Sequence, residues 1–330
     1  MDRYKQKAIW LTWEAEGSIR SRVLSKALGV PLYIFDFLEN QPRLRLVRYF
    51  VNTIETLAIL LKCRPAVIIV QNPSIILAFF TSLAKKLLLY SLVMDLHTHH
   101  IKLSGAVGRL YYLINNYSLR NADLIIVTND SYKKKIMMLT RSDITVLPDK
   151  IPEIECKDLS GDLKGSENIL FICTYSQDEP WRDVIQAAES LPKTVHIYIS
   201  GRVPNGLNIK TPINVTITGY LVREEYERIL EAIDAVIVLT KKENCLPCGA
   251  YEALAAEKPL VLSDKKVIKE FFSKGSIYTE NKEEAIAVAV KEALKNQKLL
   301  KQKIIQLKKE KERLWGTQWE DLKNKIFSLY

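Results

Sequence analysis

Apolar residues fall into two patterns that alternate along this chain and predict strands and helices by turns. Short continuous runs at Ala8–Trp13, Pro31–Phe35, Ala66–Val70, Tyr90–Leu96, Asp123–Thr128 and Thr145–Leu147 read as strands with both faces buried. Between them, Ser21–Leu28, Arg43–Leu61, Ile75–Leu88, Gly108–Arg120 and Ser131–Leu139 read as helices. In Arg43–Leu61 the spacing of Leu44, Val47, Phe50, Val51, Ile54, Leu57 and Leu61 is that of an amphipathic helix. The alternation then starts again. Asn168–Cys173, Val195–Ser200, Val215–Thr218, Ala235–Leu239 and Pro259–Leu262 are predicted strands. Arg182–Leu191, Glu224–Ile233, Ala250–Ala256, Lys266–Phe272, Glu283–Leu294 and Leu299–Leu314 are predicted helices. Strands of this kind require helices on both faces of a parallel sheet. The predicted fold class is α/β, with two doubly wound, Rossmann-like parallel-sheet domains in tandem.

The stretch Asp149–Glu167, with one proline, two glycines and mixed charge, reads as the connection between domains. The expected division is an N-terminal domain over 1–150 and a C-terminal domain over 151–312. An amphipathic helix over 313–330 is expected to return to the first domain. The length of 330 residues suits two domains, and 48% hydrophobic residues exclude wholesale disorder. The net charge of +10 is unevenly spread. Residues 1–150 hold 21 basic and 11 acidic side chains, whereas 151–330 hold 27 of each. The first half is therefore expected to face something anionic. Five scattered cysteines make no disulfide framework and fit a reducing, cytoplasmic compartment. The N-terminus lacks a signal-peptide pattern. The apolar run Ile75–Met94 is interrupted by Lys85 and Lys86, which would cost roughly 2.5–3.5 kcal/mol each in a spanning helix. Lys298–Arg313 mixes both signs at helical spacing and reads as a solvated helix face.

Ligands of open parallel sheets bind beyond the carboxyl ends of the strands, and two such sheets predict a cleft between them. The most specific segment past a strand is Asn244–Asp264, NCLPCGAYEALAAEKPLVLSD. Its helix bearing Glu252, the Lys258-Pro259 pair and the strand ending Ser263-Asp264 resemble the donor-site signature of family 4 glycosyltransferases with the GT-B fold. The resemblance implies a nucleotide-sugar whose ribose hydroxyls meet Glu252, because a carboxylate offers two acceptor oxygens to a vicinal diol. The family's other glutamate stands eight positions earlier, where this chain has Asn244 with Glu243 beside it. Either the amide of Asn244 fills that position, which meets the donor sugar, or a local shift brings Glu243 into it. Cys248, Gly249 and Ala250 place N–H groups at the helix start, suited to a diphosphate. Tyr251 accompanies them on the donor side. Cys245 and Cys248 are spaced Cys-x-x-Cys but lack a second ligand pair, so no zinc site is expected.

Further matches cover most of the chain. Phe171–Pro180 stands where the family begins its donor domain, and the acids Asp178 and Glu179 equally suit ordinary capping. Gly201 and Arg202 follow a strand, the glycine for close approach and the arginine for phosphate. Tyr220, in Thr218–Leu221, is a candidate to stack on the nucleotide base or simply to pack. In the first half, Trp13–Arg22 resembles the family's first loop, with Gly17, Arg20 and Arg22 as phosphate or acceptor contacts; helix-start arginines in solvent are an equal alternative. Met94–His97 matches a strand ending in Asp-x-His, which implies that His97 orients the donor sugar. His99 and His100 follow, but without a carboxylate cluster, and no metal is expected.

The resemblance implies a retaining, metal-independent glycosyltransferase using a nucleoside-diphosphate-sugar as substrate and no cofactor. Gly249 and Ala250 N–H groups with Arg202 and Arg20 are expected to steady the departing diphosphate. The basic clusters Arg43/Arg45/Arg48, Lys85/Lys86 and Lys133–Lys135 suit an anionic membrane surface or a lipid-linked acceptor, hence a peripheral place on the inner face. No nucleic-acid motif is found, so no nucleic-acid partner is expected. A sugar-nucleotide epimerase on the same fold, or a non-catalytic regulatory relative, remain the alternatives.

Overall fold

The structure is a computed structural model that describes residues 7–14, 19–38, 41–72, 74–97, 105–154 and 163–330, with Pro42 and Asn72 described by backbone only. Two compact units emerge: Met1–Lys150 with Trp315–Tyr330, and Ile151–Leu314. Unit one holds strands β1 (Ala8–Thr12), β2 (Leu32–Ile34), β3 (Val67–Asn72), β4 (Ser91–Leu96), β5 (Leu124–Val127) and β6 (Asp143–Val146). Its helices are α1 (Ile19–Leu28), α2 (Arg45–Cys63, entered through a 3-10 turn at Pro42–Leu44), α3 (Ile75–Leu88), α4 (Gly105–Asn121) and α5 (Asp130–Met137). The parallel sheet runs β2-β1-β3-β4-β5-β6, so the chain reverses its direction of travel between β1 and β3.

Side-chain alternation explains the unbroken apolar strands. In β1, Ile9 and Leu11 join one core while Ala8 and Trp10 join the other; Ile68 and Val70 of β3 part from Val67 and Ile69 in the same way. The second core is completed by Trp319, Leu322 and Ile326 from the end of the chain. Burying each contributes on the order of 2 kcal/mol, enough to make residues 315–330 a structural part of unit one. Stacked Trp315 and Trp319 rings (5.4 Å between centroids) and a bond from Trp315 Nε1 to the Pro148 carbonyl (3.1 Å) fix the segment.

Unit two holds β7 (Glu167–Phe171), β8 (Val195–Ser200), β9 (Val215–Gly219), β10 (Ala235–Val238), β11 (Leu260–Ser263) and β12 (Ser276–Thr279). Its helices are α6 (Trp181–Glu189), α7 (Arg223–Ala232), α8 (Cys248–Ala255), α9 (Lys266–Phe271), α10 (Glu283–Lys295) and α11 (Gln297–Phe327). The portion of α11 from Trp315 onward belongs to unit one. The parallel order β12-β11-β10-β7-β8-β9 reverses between β7 and β10. This is the doubly wound arrangement that the alternation predicted.

Three features differ from the sequence reading or add to it. The two C-terminal helical segments form the single helix α11, because no proline or cap interrupts them. β12 has no counterpart in the sequence reading; it is a half-buried edge strand of four residues with weak patterning. The third concerns α2. An amphipathic helix on a sheet ordinarily turns its apolar stripe inward, yet here Asn52, Thr56 and Leu60 are buried while Leu46, Phe50, Ile54 and Leu61 are exposed. The inner face is held by polar bonds: Trp13 Nε1 donates to Thr56 Oγ1 (3.0 Å), and Asn52 Nδ2 donates to the Phe35 carbonyl (3.3 Å).

Candidate functional site

In unit two the reversal point puts the loops after β7 and β10 side by side, where ligands of such sheets bind. Asp178 joins them. It accepts from Thr240 Oγ1 (2.8 Å) and Ser176 Oγ (2.9 Å), pairs with Lys242 (3.1 Å), and its carbonyl accepts from Lys241 N (2.7 Å). Burial alone would raise its pKa, but these donors outweigh it and hold the carboxyl below its ordinary value. Glu179 turns back into its own loop, accepting from Thr174 N, Thr174 Oγ1 and Ser176 N, each at 2.9 Å. These two acids therefore build the loop. Beside them a cavity of about 500 Å³ is lined by Tyr175, Trp181, Arg182, Leu207 and Lys241 among others; Glu252 is not part of its lining.

Gly201 follows β8 at φ +107°, and a Cβ there would lie 1.8 Å from the Cys173 carbonyl oxygen. Its N–H donates to the Gly219 carbonyl (3.0 Å). The close approach required of this glycine is thus to neighbouring backbone, tying the exits of β7, β8 and β9 together. Arg202 stands 5.3 Å from the ring centroid of Tyr220, which is 69% exposed, so these two expected donor contacts stack on each other.

The β10 exit leads into α8. Thr240 N donates to Ser263 Oγ (2.9 Å), and Asn281 Nδ2 donates to the Thr240 carbonyl (3.0 Å), locking the exit to β11. Glu243 is exposed and meets Lys265 at 2.5 Å; Asn244 is half-buried. Leu246, 6% exposed, anchors the turn. α8 begins at Cys248 after an extended Pro247 and has no side-chain cap. Gly249 is there for packing, since a Cβ would come within 2.8 Å of Ile172 Cγ2. Ala250 N–H, expected to meet a diphosphate, donates to the Pro247 carbonyl (3.0 Å) and closes the first turn. Tyr251 is also reassigned. It is 2% exposed, with its ring 5.1 Å from Phe271 and 5.4 Å from Phe272, because its position on α8 faces the core.

Glu252, one position on, is half-buried, and Tyr226 of α7 donates its hydroxyl to Glu252 Oε2. Burial raises the pKa of Glu252, and the Tyr226 hydroxyl works against that rise. Tyr226 is raised as well, first by burial and then by the neighbouring carboxylate. Sequence spacing gave no hint of Tyr226, which reads as one more residue of a charged helix.

In unit one Arg20, 6% exposed, is committed internally. Nε meets both Asp95 oxygens (3.1 and 2.9 Å), Nη1 meets Asp149 (2.9 Å) and Nη2 meets the Leu147 carbonyl (2.9 Å). A phosphate would have to compete with two carboxylates, so the expected phosphate contact is corrected to a framework residue. His97 Nε2 meets the other oxygen of Asp149 at 3.0 Å. Burial lowers the His97 pKa, but the bond to Asp149 and its charge outweigh it, and the net shift is upward. Arg22 is exposed, and Lys85 pairs with Asp123 (2.7 Å). Gly17, His99 and His100 lie outside the described residues. Asp95 and Asp149 were not singled out as site residues. Asp95 stood in the sequence as the acid of the Asp-x-His strand end, whereas Asp149 had only its position just beyond β6 as a signal.

Residues 163–310 match the family model described as glycosyl transferases group 1. Over that stretch unit two is similar to the glycosyl transferases of group 1. No curated protein sequence matches the chain. Among solved structures, HepE of Anabaena in complex with UDP has a TM-score of 0.70 at 12% identity, covering 98% of this chain and 100% of that one. Sucrose-phosphate synthase of Thermosynechococcus elongatus has a TM-score of 0.77 at 12% identity, with 98% and 100% covered. A putative UDP-N-acetylglucosamine 2-epimerase of Listeria monocytogenes gives 0.63 at 11% identity, with 91% of each chain covered. The fold is that of the GT-B glycosyltransferases.

Proposed function

We propose that this chain transfers a sugar from a nucleoside-diphosphate-sugar to an acceptor, with retention and without a metal. Glu252 carries the reading: a half-buried carboxylate in the helix that follows β10, inside the stretch matched by the glycosyltransferase family. In this reading Glu252 takes the ribose hydroxyls, Tyr226 holding Oε2 in place. Backbone N–H groups at Cys248 and Gly249, with Arg202, face the diphosphate and lower the barrier by meeting the charge that grows on the leaving group. Asn244 or Glu243 attends the sugar, and His97, oriented by Asp149, hydrogen-bonds it. Unit one takes the acceptor, a lipid-linked precursor at an anionic membrane surface, which its basic surplus supports. A relative by fold, HepE, was solved with UDP and with UDP-glucose, and uridine nucleotides are the first donors to try.

Thermal unfolding with a panel of nucleoside diphosphates and nucleotide-sugars tests this. One of them is expected to stabilise the protein, by about 2.7 kcal/mol at a hundredfold excess over Kd. Glu252→Ala is expected to abolish the shift, measured against its own ligand-free midpoint because the Tyr226 hydroxyl loses its acceptor. An unchanged response in Glu252→Ala overturns the nucleotide assignment. The epimerase reading is favoured by one fold relative. Isomerisation of the donor in the absence of acceptor would replace transfer with that activity.

A further inference from the structure

We infer that the outward apolar stripe of α2 is a docking surface for an anionic lipid bilayer. The inference rests on the proposed membrane-side acceptor and names the element that makes contact. Leu46, Phe50, Ile54, Leu57 and Leu61 are 83, 67, 51, 39 and 52% exposed. At about 100° per residue they fall within roughly 80° of one another, a single stripe along the full helix. The opposite face is taken: Asn52 and Thr56 are buried through polar bonds, and Tyr49 stacks on Trp13 with 6.3 Å between ring centroids. The helix is thus docked by the face that carries Asn52, Thr56 and Leu60 and presents its longer apolar stripe to solvent.

The charges at its two ends identify the occupant. Arg43 and Arg45 stand exposed at the entrance, Lys62 and Arg64 at the exit, and Glu55 is the single acid from 43 to 64. Helix α3 packs beside α2 and carries Leu83, Lys86 and Leu87, all exposed. Neither α3 nor α4 contains an acidic residue. Apolar side chains at hydrocarbon depth between rows of cations are the pattern of a helix lying in an anionic interface. A second copy docked through the same stripe would set these unbalanced cations against their own kind. No helix among the described residues is long and apolar enough to cross a membrane, so the contact is one of surface insertion.

Co-sedimentation of the full chain with phosphatidylglycerol–phosphatidylcholine vesicles, against phosphatidylcholine alone, tests the inference. Binding to the anionic vesicles only, weakening as salt rises, is expected. The exposed pair Phe50→Asp/Ile54→Asp should lose about tenfold or more in partitioning with an unchanged unfolding midpoint. Arg43→Glu/Arg45→Glu should lose the anionic preference. Amide exchange in the presence of vesicles should slow in the 43–64 segment. Vesicle binding that is indifferent to Phe50→Asp/Ile54→Asp, or protection falling elsewhere, overturns the role of α2 while the membrane reading survives. Failure to bind anionic vesicles even at low salt removes both. Dimerisation that this pair abolishes, without vesicle binding, assigns the stripe to a second copy instead. The nucleotide response is measured separately and is untouched by any of these outcomes.

Discussion

His97 shares Asp149 with Arg20, and that sharing makes the imidazole's ionisation part of the stability of unit one. Because its pKa is raised above 6.5 in the folded state, protonated His97 adds stability in full below about pH 6.5. That contribution is lost as pH rises through the higher folded value. Asp149 behaves oppositely. Burial acts to raise its pKa, but His97 and Arg20 hold it far below the usual carboxylate range, so its contribution is present near neutrality and lost in acid. The unfolding midpoint of unit one should therefore decline in the wild type as pH rises above about 6.5. His97→Asn should flatten that decline and retain the acid limb, since Arg20 still pairs with Asp149. A decline of equal slope in both proteins would separate His97 from it. The histidine was legible in the sequence from its place after a strand. Its partner was not, because the two stand 52 positions apart and only the adjacent registers of β4, β5 and β6 bring the strand ends together.

At the scale of elements, strands buried on both faces left little ambiguity, and the doubly wound order follows from them. Helix faces were harder to read. Periodicity finds a stripe without saying which way it points, and in α2 two polar residues, Asn52 and Thr56, outcompete five apolar ones for the inner side because Trp13 and the Phe35 carbonyl supply partners there. The same limit applied on α8, where the motif named Tyr251 and Glu252 together although neighbours on a helix stand about 100° apart. One turned into the aromatic core and the other toward Tyr226. Substitutions along α2 should report this orientation. Leu60→Ala, at 1% exposure, is expected to cost about 2–4 kcal/mol in denaturant unfolding. Phe50→Ser should remain within about 0.5 kcal/mol of wild type. Equal losses would place the apolar stripe in the core after all.

For the molecule as a whole, the chain enters unit two at Ile151 and leaves it at Leu314, so unit two is continuous while unit one is assembled from two separated stretches. A fragment over 151–314 is expected to fold and to keep the nucleotide response of the intact protein. Deletion of 315–330 should uncover the face that Trp319, Leu322 and Ile326 close, lowering the unfolding midpoint of unit one. Separate transitions in calorimetry distinguish the two cases, and a deletion that leaves unit one unchanged would make the terminal segment dispensable. The basic surplus, confined to 1–150, belongs with the stretch that carries α2 and not with the nucleotide side.

The split composition of unit one also sets an order of events at the ribosome. Although its six strands are synthesised first, the cover that Trp319, Leu322 and Ile326 give to one face of their sheet is missing until residues 315–330 have emerged, by which time 151–314 is already complete. The later-made domain is thus free to mature before the earlier one. During that interval the apolar core shared with Trp319, Leu322 and Ile326 is incompletely covered, the surface a chaperone would be expected to guard.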